Sequence, residues 1–390
     1  FAQSQIYVPY LKGIHMAGIY LHIPFCRKAC HYCNFHFSTQ LDAIYEMAEA
    51  LIAEAIIRKK EITEPIETIY FGGGTPSLLS TDRVEKILET IRIHYTIVND
   101  AEITLEANPD DISRKNLNDW KDIGINRLSI GIQSFLEEEL QWMNRAHNAS
   151  QSLTCIDEIL NAGWDNISAD LIFGSPLLSN EQLEKNINIL TGKGIPHISC
   201  YALTVEEKTT LHHQIKTKKS LPVNSEKQAE QFLLTMHKLI ASGYEHYEIS
   251  NYALPGKRSR HNSSYWQGAP YWGFGPSAHS FDGKNSRRWN VSNNQVYINS
   301  WSDNKPCYET EQLSPVQQLN EYIMTSLRTI EGLSLKHVEN IFGNDAANSI
   351  IKKLIAFDNK GLLVMNDNFI TLTSEGKLFA DGISAELFFE

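Results

Sequence analysis

The chain has 390 residues, 42% of them hydrophobic, enough to bury an ordinary core and to divide into a larger and a smaller domain. A formal net charge of −11 argues against nucleic acid or an anionic membrane surface held by bulk electrostatics. No run reaches the roughly 18 apolar residues of a membrane span and no secretory signal pattern opens the chain, so a soluble, cytosolic protein is expected.

Residues 1–15 precede Met16, which reads as a natural start directly before the first strand, so 1–15 are taken as a leader or cloning remnant. From there to about Val205, β-branched and aromatic runs alternate with amphipathic ones, the pattern of a parallel sheet built from βα units. Strands are expected at 18–23, 67–71, 101–105, 127–131, 166–173 and 197–203. Helices are expected near 42–61, 81–95, 113–123, 135–162 with a break at Asn148, 180–191 and 225–242, which closes an α/β core at 16–243.

Six parallel strands with outer helices form either an open doubly wound sheet or a partial barrel, and both place chemistry at the C-terminal strand ends. The polar and glycine-rich segments do follow the strands, at 22–33, 72–76, 106–109, 133–134 and 170–176. Residues 244–310 are rich in Tyr, Trp, Asn, Ser and Gly without a helical period, and are expected to be a connecting region of short strands and loops. The tail, 311–390, reads as helices at 315–330, 334–341 and 346–360, a hairpin at 362–365 and 369–372, and a last helix, a winged-helix-like α+β module. Its six Lys and Arg against eleven Asp and Glu disfavour DNA binding.

Six cysteines are too few for a disulfide framework, yet three crowd into Cys26-Arg-Lys-Ala-Cys30-His-Tyr-Cys33, the spacing C-x3-C-x2-C. Zinc held with His31 or His36, covalent haem on Cys30-His31, and a cluster completed by a fourth cysteine are the alternatives. An open three-cysteine iron–sulfur site after the first strand accounts for all three residues. Three thiolates hold three irons of a [4Fe–4S] cluster and leave the fourth free to chelate the amino and carboxylate groups of S-adenosylmethionine. Cys155, Cys200 and Cys307 stand far apart and are expected to be buried apolar residues.

With Tyr20-Leu-His-Ile-Pro-Phe-Cys26 before it, the cysteine segment resembles the opening of the coproporphyrinogen-oxidase branch of the radical-SAM family. The resemblance runs from Tyr20 through the C-terminal module and implies a partial (β/α)6 barrel. It implies cofactor contacts at Tyr20 and Tyr32 beside the cysteines and at Gly73, Gly74 and Thr75 in the run Gly72-Gly-Gly-Thr-Pro76. In that run glycine permits close backbone approach and a following helix start offers free N–H groups to a carboxylate. Glu106 at the third strand end is placed to accept the ribose hydroxyls or the amino group; Gln133, Arg145 and Asp170 match positions lining the cofactor pocket or a second cofactor site.

Two functions divide this branch. Oxygen-independent coproporphyrinogen III oxidases carry C-x3-C-x2-C-x-C and a long extension before the first strand; here Phe35 replaces the last cysteine, and Met16 stands just upstream of Gly18. The segment His261-Asn-Ser-Ser-Tyr-Trp266 instead matches the H-N-x-x-Y-W motif of the HemW-type haem-chaperone branch. On that resemblance His261 ligates haem, Tyr265 and Trp266 pack on the macrocycle, and Lys257, Arg258 and Arg260 pair with propionates. The implied partners are haem and a haem-accepting protein such as a respiratory one, with a homodimer and membrane contact through the acceptor left open.

Overall fold

The computed structural model describes residues 16–366 and 368–390; the expected leader, 1–15, lies outside them. Six parallel strands, β1 (Ala17–Ile23), β2 (Ile66–Gly73), β3 (Ile97–Ala107), β4 (Arg127–Gln133), β5 (Ile167–Phe173) and β6 (His197–Ala202), lie side by side in chain order. Sequential order without reversal is the winding of a barrel, and it removes the doubly wound alternative. The connecting helices are α1 (Ile44–Ile57), α2 (Thr81–His94), α3 (Arg114–Asp122), α4 (Glu137–Trp142), α5 (Ala149–Asn161) and α6 (Asn180–Gly192). After β6 come α7 (Thr210–Lys216), absent from the expected elements, and α8 (Ser225–Ala241). The expected helix at 135–162 divides because Asn144 takes a left-handed φ of 58° and Asn148 caps α5 with a capping box.

Alternation along the strands sorts the side chains into two layers. Ile19, Leu21 and Ile23 of β1, Leu128, Ile130 and Ile132 of β4, and Ile198 and Cys200 of β6 join the apolar core with the helices. The intervening residues are polar and buried: Thr68, Thr104, Arg127, Ser129, Ser168, His197 and Ser199. They face the barrel lumen, where the Arg127 guanidinium lies 3.9 Å from Glu102 and has no hydrogen-bond partner on any of its three nitrogens.

Residues 244–312 are more ordered than their composition predicts. They supply β7 (Glu245–Glu248), β8 (Asn251–Ala253), α9 (Arg260–Trp266), β9 (Tyr271–Phe274), β10 (His279–Phe281), β11 (Ser286–Asn290), α10 (Asn294–Ser302) and β12 (Tyr308–Gln312). Ser259 and Asn293 cap the two helices, each too short to register as a helical period. The strands extend the sheet at both edges, in the order β12-β11-β10-β9-β1-β2-β3-β4-β5-β6-β8-β7. The expected six strands are therefore the centre of a twelve-stranded sheet that remains open.

The C-terminal module has its own core, including Ile323, Val338, Ile350 and Ile370. It consists of α11 (Pro315–Leu327), β13 (Leu333–Ser334), α12 (Leu335–Phe342), α13 (Asn344–Asp358), β14 (Leu363–Asn366), β15 (Phe369–Leu372), α14 (Ser374–Lys377) and α15 (Ala380–Leu387). Its helices and hairpin give the winged-helix-like α+β arrangement read from the sequence. The expected helix at 315–330 stops at Leu327, because residues beyond it turn their backbone to the sheet edge: Ile249 N–H donates to Arg328 O at 3.1 Å and Ile330 N–H to Tyr247 O at 3.0 Å. Among the described residues no helix is long and apolar enough to cross a membrane.

Candidate cluster and cofactor site

The cysteine loop follows β1 and is pinched at its base, where Cys26 N–H donates to Ser38 O at 3.0 Å and Ser38 N–H to Pro24 O at 2.8 Å. The segment after α4 clamps it from the side. His31 N–H donates to Met143 O at 3.0 Å, its Nδ1 bonds Trp142 O at 2.7 Å, and Asn144 Nδ2 donates to Ala29 O at 2.8 Å. Arg145 is the central tie, donating to Cys30 Sγ and Tyr32 OH at 3.3 Å each, Asn108 Oδ1 at 2.6 Å and Gly131 O at 2.9 Å. It is thus a positioning residue for the loop. Burial pushes the Cys26 thiol up to about 11 against a lowering hydrogen bond from Thr75, and burial likewise raises Cys33.

Cys26, Cys30 and Cys33 open on one cavity of about 1060 Å³ at the C-terminal ends of the strands. Its wall also carries Tyr32, Gly73, Gly74, Thr75, Glu106, Gln133, Arg145 and Asp170, so eleven of the thirteen expected site residues meet in one place. The rival ligand sets do not form. His31 bonds Trp142 O, His36 Nε2 bonds Asn294 Oδ1 at 2.7 Å, Cys155 and Cys200 are buried away from the cavity, and Cys307 is exposed, contrary to expectation. Among the described residues no three His, Cys, Asp or Glu converge tightly enough for a single ion. Three free thiols on one loop at the wall of a large cavity suit a multi-iron cluster with one iron left open.

The glycine run serves the cavity differently from expectation. Gly74 N–H donates to Ile23 O at 2.9 Å and Thr75 N–H to Phe25 O at 2.7 Å, so these amides are spent on the cysteine loop. A single 3-10 turn, Pro76–Leu78, follows before α2 begins. A Cβ on Gly74 would lie 2.5 Å from Phe25 O, and one on Gly73, whose φ is +107°, would lie 2.6 Å from the His22 ring. Gly74→Ala is therefore expected to cost about 1–3 kcal/mol in denaturant unfolding and to weaken cofactor binding, since the neighbours that must give way are backbone.

At the cavity floor Tyr70 OH donates to Glu106 Oε1 at 2.7 Å, and Asp170 Oδ1 has no partner. Burial raises the Glu106 carboxyl to about 7 and that of Asp170 to about 6, with the Asp170 charge adding to the first and Arg127 opposing both. An ionised Glu106 would attract the charged donors of a bound cofactor; protonation removes that charge and turns one oxygen into a donor. Affinity for S-adenosylmethionine is thus expected to fall about tenfold per pH unit below 7, measured by equilibrium binding, and Glu106→Gln should flatten the slope. Gln133 sits at a bulge with φ 64°, a strained conformation, where its amide, Arg145 and Asn108 crowd the space a Gly131 side chain would need.

Two expected residues lie elsewhere. Tyr20 points into the lumen, its OH 3.1 Å from His22 Nδ1 and its ring stacked on Tyr70. His261 plugs the opposite, N-terminal end of the barrel and is 1% exposed. Its Nδ1 bonds Thr68 Oγ1 at 2.7 Å, its Nε2 bonds Tyr265 OH at 2.9 Å, and its ring stacks on Tyr70 with centroids 4.9 Å apart. Burial holds the imidazole neutral, its pKa lowered to about 3, which suits a haem ligand, but both nitrogens are engaged within the fold. Glu102 fixes the plug by accepting the N–H groups of His261 at 3.1 Å and Arg260 at 3.3 Å. The cations assigned to propionates are paired as well: Lys257 with Asp165, Arg258 with Glu245 and Glu331, and Arg260 with Glu67 and Asp100.

Residues 20–190 match the Radical SAM superfamily and residues 313–379 the HemN C-terminal domain. Heme chaperone HemW of Bacillus subtilis (strain 168) is 33% identical over 372 residues, spanning 94% of this chain and 98% of the relative. The chain belongs to the HemW family of radical SAM proteins. HemW of Synechocystis sp. is also 33% identical, over 87% of this chain and 84% of its own. The mitochondrial radical S-adenosyl methionine domain-containing protein 1 of Bos taurus is 30% identical over 96% and 88%. Coproporphyrinogen III oxidase (HemN) from Escherichia coli shares the fold, with a TM-score of 0.83 at 21% identity over 96% of this chain and 90% of that one.

Several cavity residues of this HemW-family chain escaped the sequence reading. Asn108, beside Glu106 at the same strand end, carried a usable signal; Arg328, Lys377 and Phe379 of the C-terminal module carried none, because only docking brings them to the wall.

Proposed function

We propose that this chain is a haem chaperone, binding haem and passing it to an acceptor protein while holding a [4Fe–4S] cluster on Cys26, Cys30 and Cys33. The observation that carries this reading is near full-length kinship with heme chaperone HemW, 98% of the Bacillus subtilis protein being covered. Phe35 agrees with it, occupying the position where the oxidase pattern has a further cysteine. A cluster with one open iron supplies chelation of the amino-acid end of S-adenosylmethionine and a source of one electron. The chain's own residues do the holding: Arg145 orients the cysteine loop, Gly73, Gly74, Thr75 and Tyr32 shape the cofactor cradle, Glu106 and Asp170 accept its donors, and Gln133 borders it.

On this reading 16–243 is the cofactor core, 244–310 completes the sheet and bears the haem motif, and 311–390 walls the cavity. Delivery takes place from the cytoplasm to a respiratory haem protein, membrane contact being made through that acceptor. The test is an anaerobic titration of the reconstituted, cluster-containing protein with hemin, followed by an assay with coproporphyrinogen III. Stoichiometric hemin binding without formation of protoporphyrinogen IX is expected. Efficient conversion to protoporphyrinogen IX would establish the oxidase instead.

A further inference from the structure

We propose that haem is held in the cavity shared by the cysteine loop and the C-terminal module, its macrocycle packed on Phe35 and Phe379 and its propionates on Arg328 and Lys377. The inference rests on the haem-chaperone reading and names the site where that ligand sits.

The size of the cavity is the first reason. Small-molecule sites run to roughly 300–1,000 Å³, and this one, at about 1060 Å³, reaches past the strand ends that cradle the cofactor to the module beyond. The far wall is built by Arg328, Lys377, Phe379 and Asp381. It offers a second ligand a floor of its own.

The chemistry of that wall is the second. Phe35 is 68% exposed and Phe379 55%, one on the cysteine loop and one on the module, and both line the cavity. Two large aromatic faces left in water at one cavity fit a flat apolar ligand. Phe35 also stands at the position where the oxidase pattern has cysteine, so the residue distinguishing the two branches is on this wall.

Charge is the third. Although the chain carries −11 overall, the cavity wall has five cations, Arg27, Lys28, Arg145, Arg328 and Lys377, against the acids Glu106, Asp170 and Asp381. Arg145 and Arg27 are committed to the cysteine loop and to Asp110 and Asp111. Arg328 donates one nitrogen to exposed Asp381 at 2.7 Å, while its Nε is buried without a hydrogen bond, 3.5 Å from Glu248. Lys377 Nζ lies 3.0 Å from His246 Nδ1 and is also held by the charge of Glu248. Buried Glu248 is thus one carboxylate shared by two cations, and a planar dicarboxylate would bring the second charge while covering both rings; His261, with its two nitrogens bonded and its ring away from the cavity, supplies none of this.

The test titrates full-length, cluster-containing protein with hemin and with hemin dimethyl ester, which lacks the carboxylates. Wild type should bind hemin at least about tenfold more tightly than the ester. Phe35→Ala with Phe379→Ala should weaken both ligands, and Arg328→Gln with Lys377→Gln should weaken hemin about tenfold or more and abolish its advantage over the ester. Retained cluster iron and S-adenosylmethionine binding in each variant report an intact fold. Equal affinity of wild type for hemin and ester, wild-type hemin affinity in both double variants, or loss of hemin only on His261 replacement in folded protein would each overturn the site. Failure of wild type to bind either ligand would instead overturn the chaperone reading.

Discussion

Replacing any one of Cys26, Cys30 or Cys33 with serine is expected to remove nearly all cluster iron and sulfide, whereas Cys155→Ser and Cys307→Ser are expected to leave them at wild-type level. The asymmetry follows from position: the first three thiols open on one cavity, and the other two are remote from it. A cluster held by three thiolates has no spare ligand, so losing one leaves an iron without its anchor. Affinity for S-adenosylmethionine should fall with the iron, because chelation disappears while only the cavity wall with Gly74, Glu106 and Asp170 remains. Iron and sulfide analysis, the spectrum of the reduced cluster and cofactor binding on the same preparations read the three effects separately. Arg145→Met is expected to produce a weaker form of the same defect, since Cys30 and Tyr32 lose their shared donor.

His261→Ala is expected to lower the stability of the cluster-free protein by about 3–5 kcal/mol in denaturant unfolding, the usual cost of truncating a large buried ring. The ring it removes is 1% exposed and stacked on Tyr70, and its loss strands the hydroxyls of Thr68 and Tyr265 inside the barrel. His261→Gln, which keeps a polar group, costs less. A pH signature accompanies the effect. With its pKa lowered to about 3, His261 stays neutral in the fold while the unfolded chain takes up a proton below about 6.5, so its contribution is complete above that pH and is lost as pH falls toward 3. His22, lowered to about 4, and His246, lowered to about 3, act in the same direction. Raised Glu106 and Asp170 act oppositely, favouring the fold on acidification, and the His261→Phe variant isolates the histidine share.

The same histidine shows how a motif and a site separate. As a string, His261-Asn-Ser-Ser-Tyr-Trp266 marks the family, and kinship agrees with it. In space its residues close the barrel: Ser259 caps α9 by accepting Asn262 N–H at 3.3 Å, Tyr265 holds His261, and Trp266 lies under Arg328 at 5.3 Å. The sequence pattern predicts only short strands and loops over 244–310 because seven residues of helix leave no periodic trace.

What the sequence determined by itself was local. Three cysteines within eight positions single out a candidate ligand set, and the glycine run, the strand-end carboxylates and the alternation of β and α segments are likewise relations among near neighbours. Eleven expected residues met in one cavity because each sits at a strand's C-terminal end, and parallel strands bring those ends to the same face. Tertiary structure alone decided the rest. That β9–β12 and β7–β8 extend the sheet, that Gly74 and Thr75 spend their amides on the cysteine loop, that His261 is a plug, and that Phe379 faces Phe35's cavity all depend on contacts between distant segments. Such contacts are set by how the barrel edge and the module pack, and no spacing along the chain encodes them.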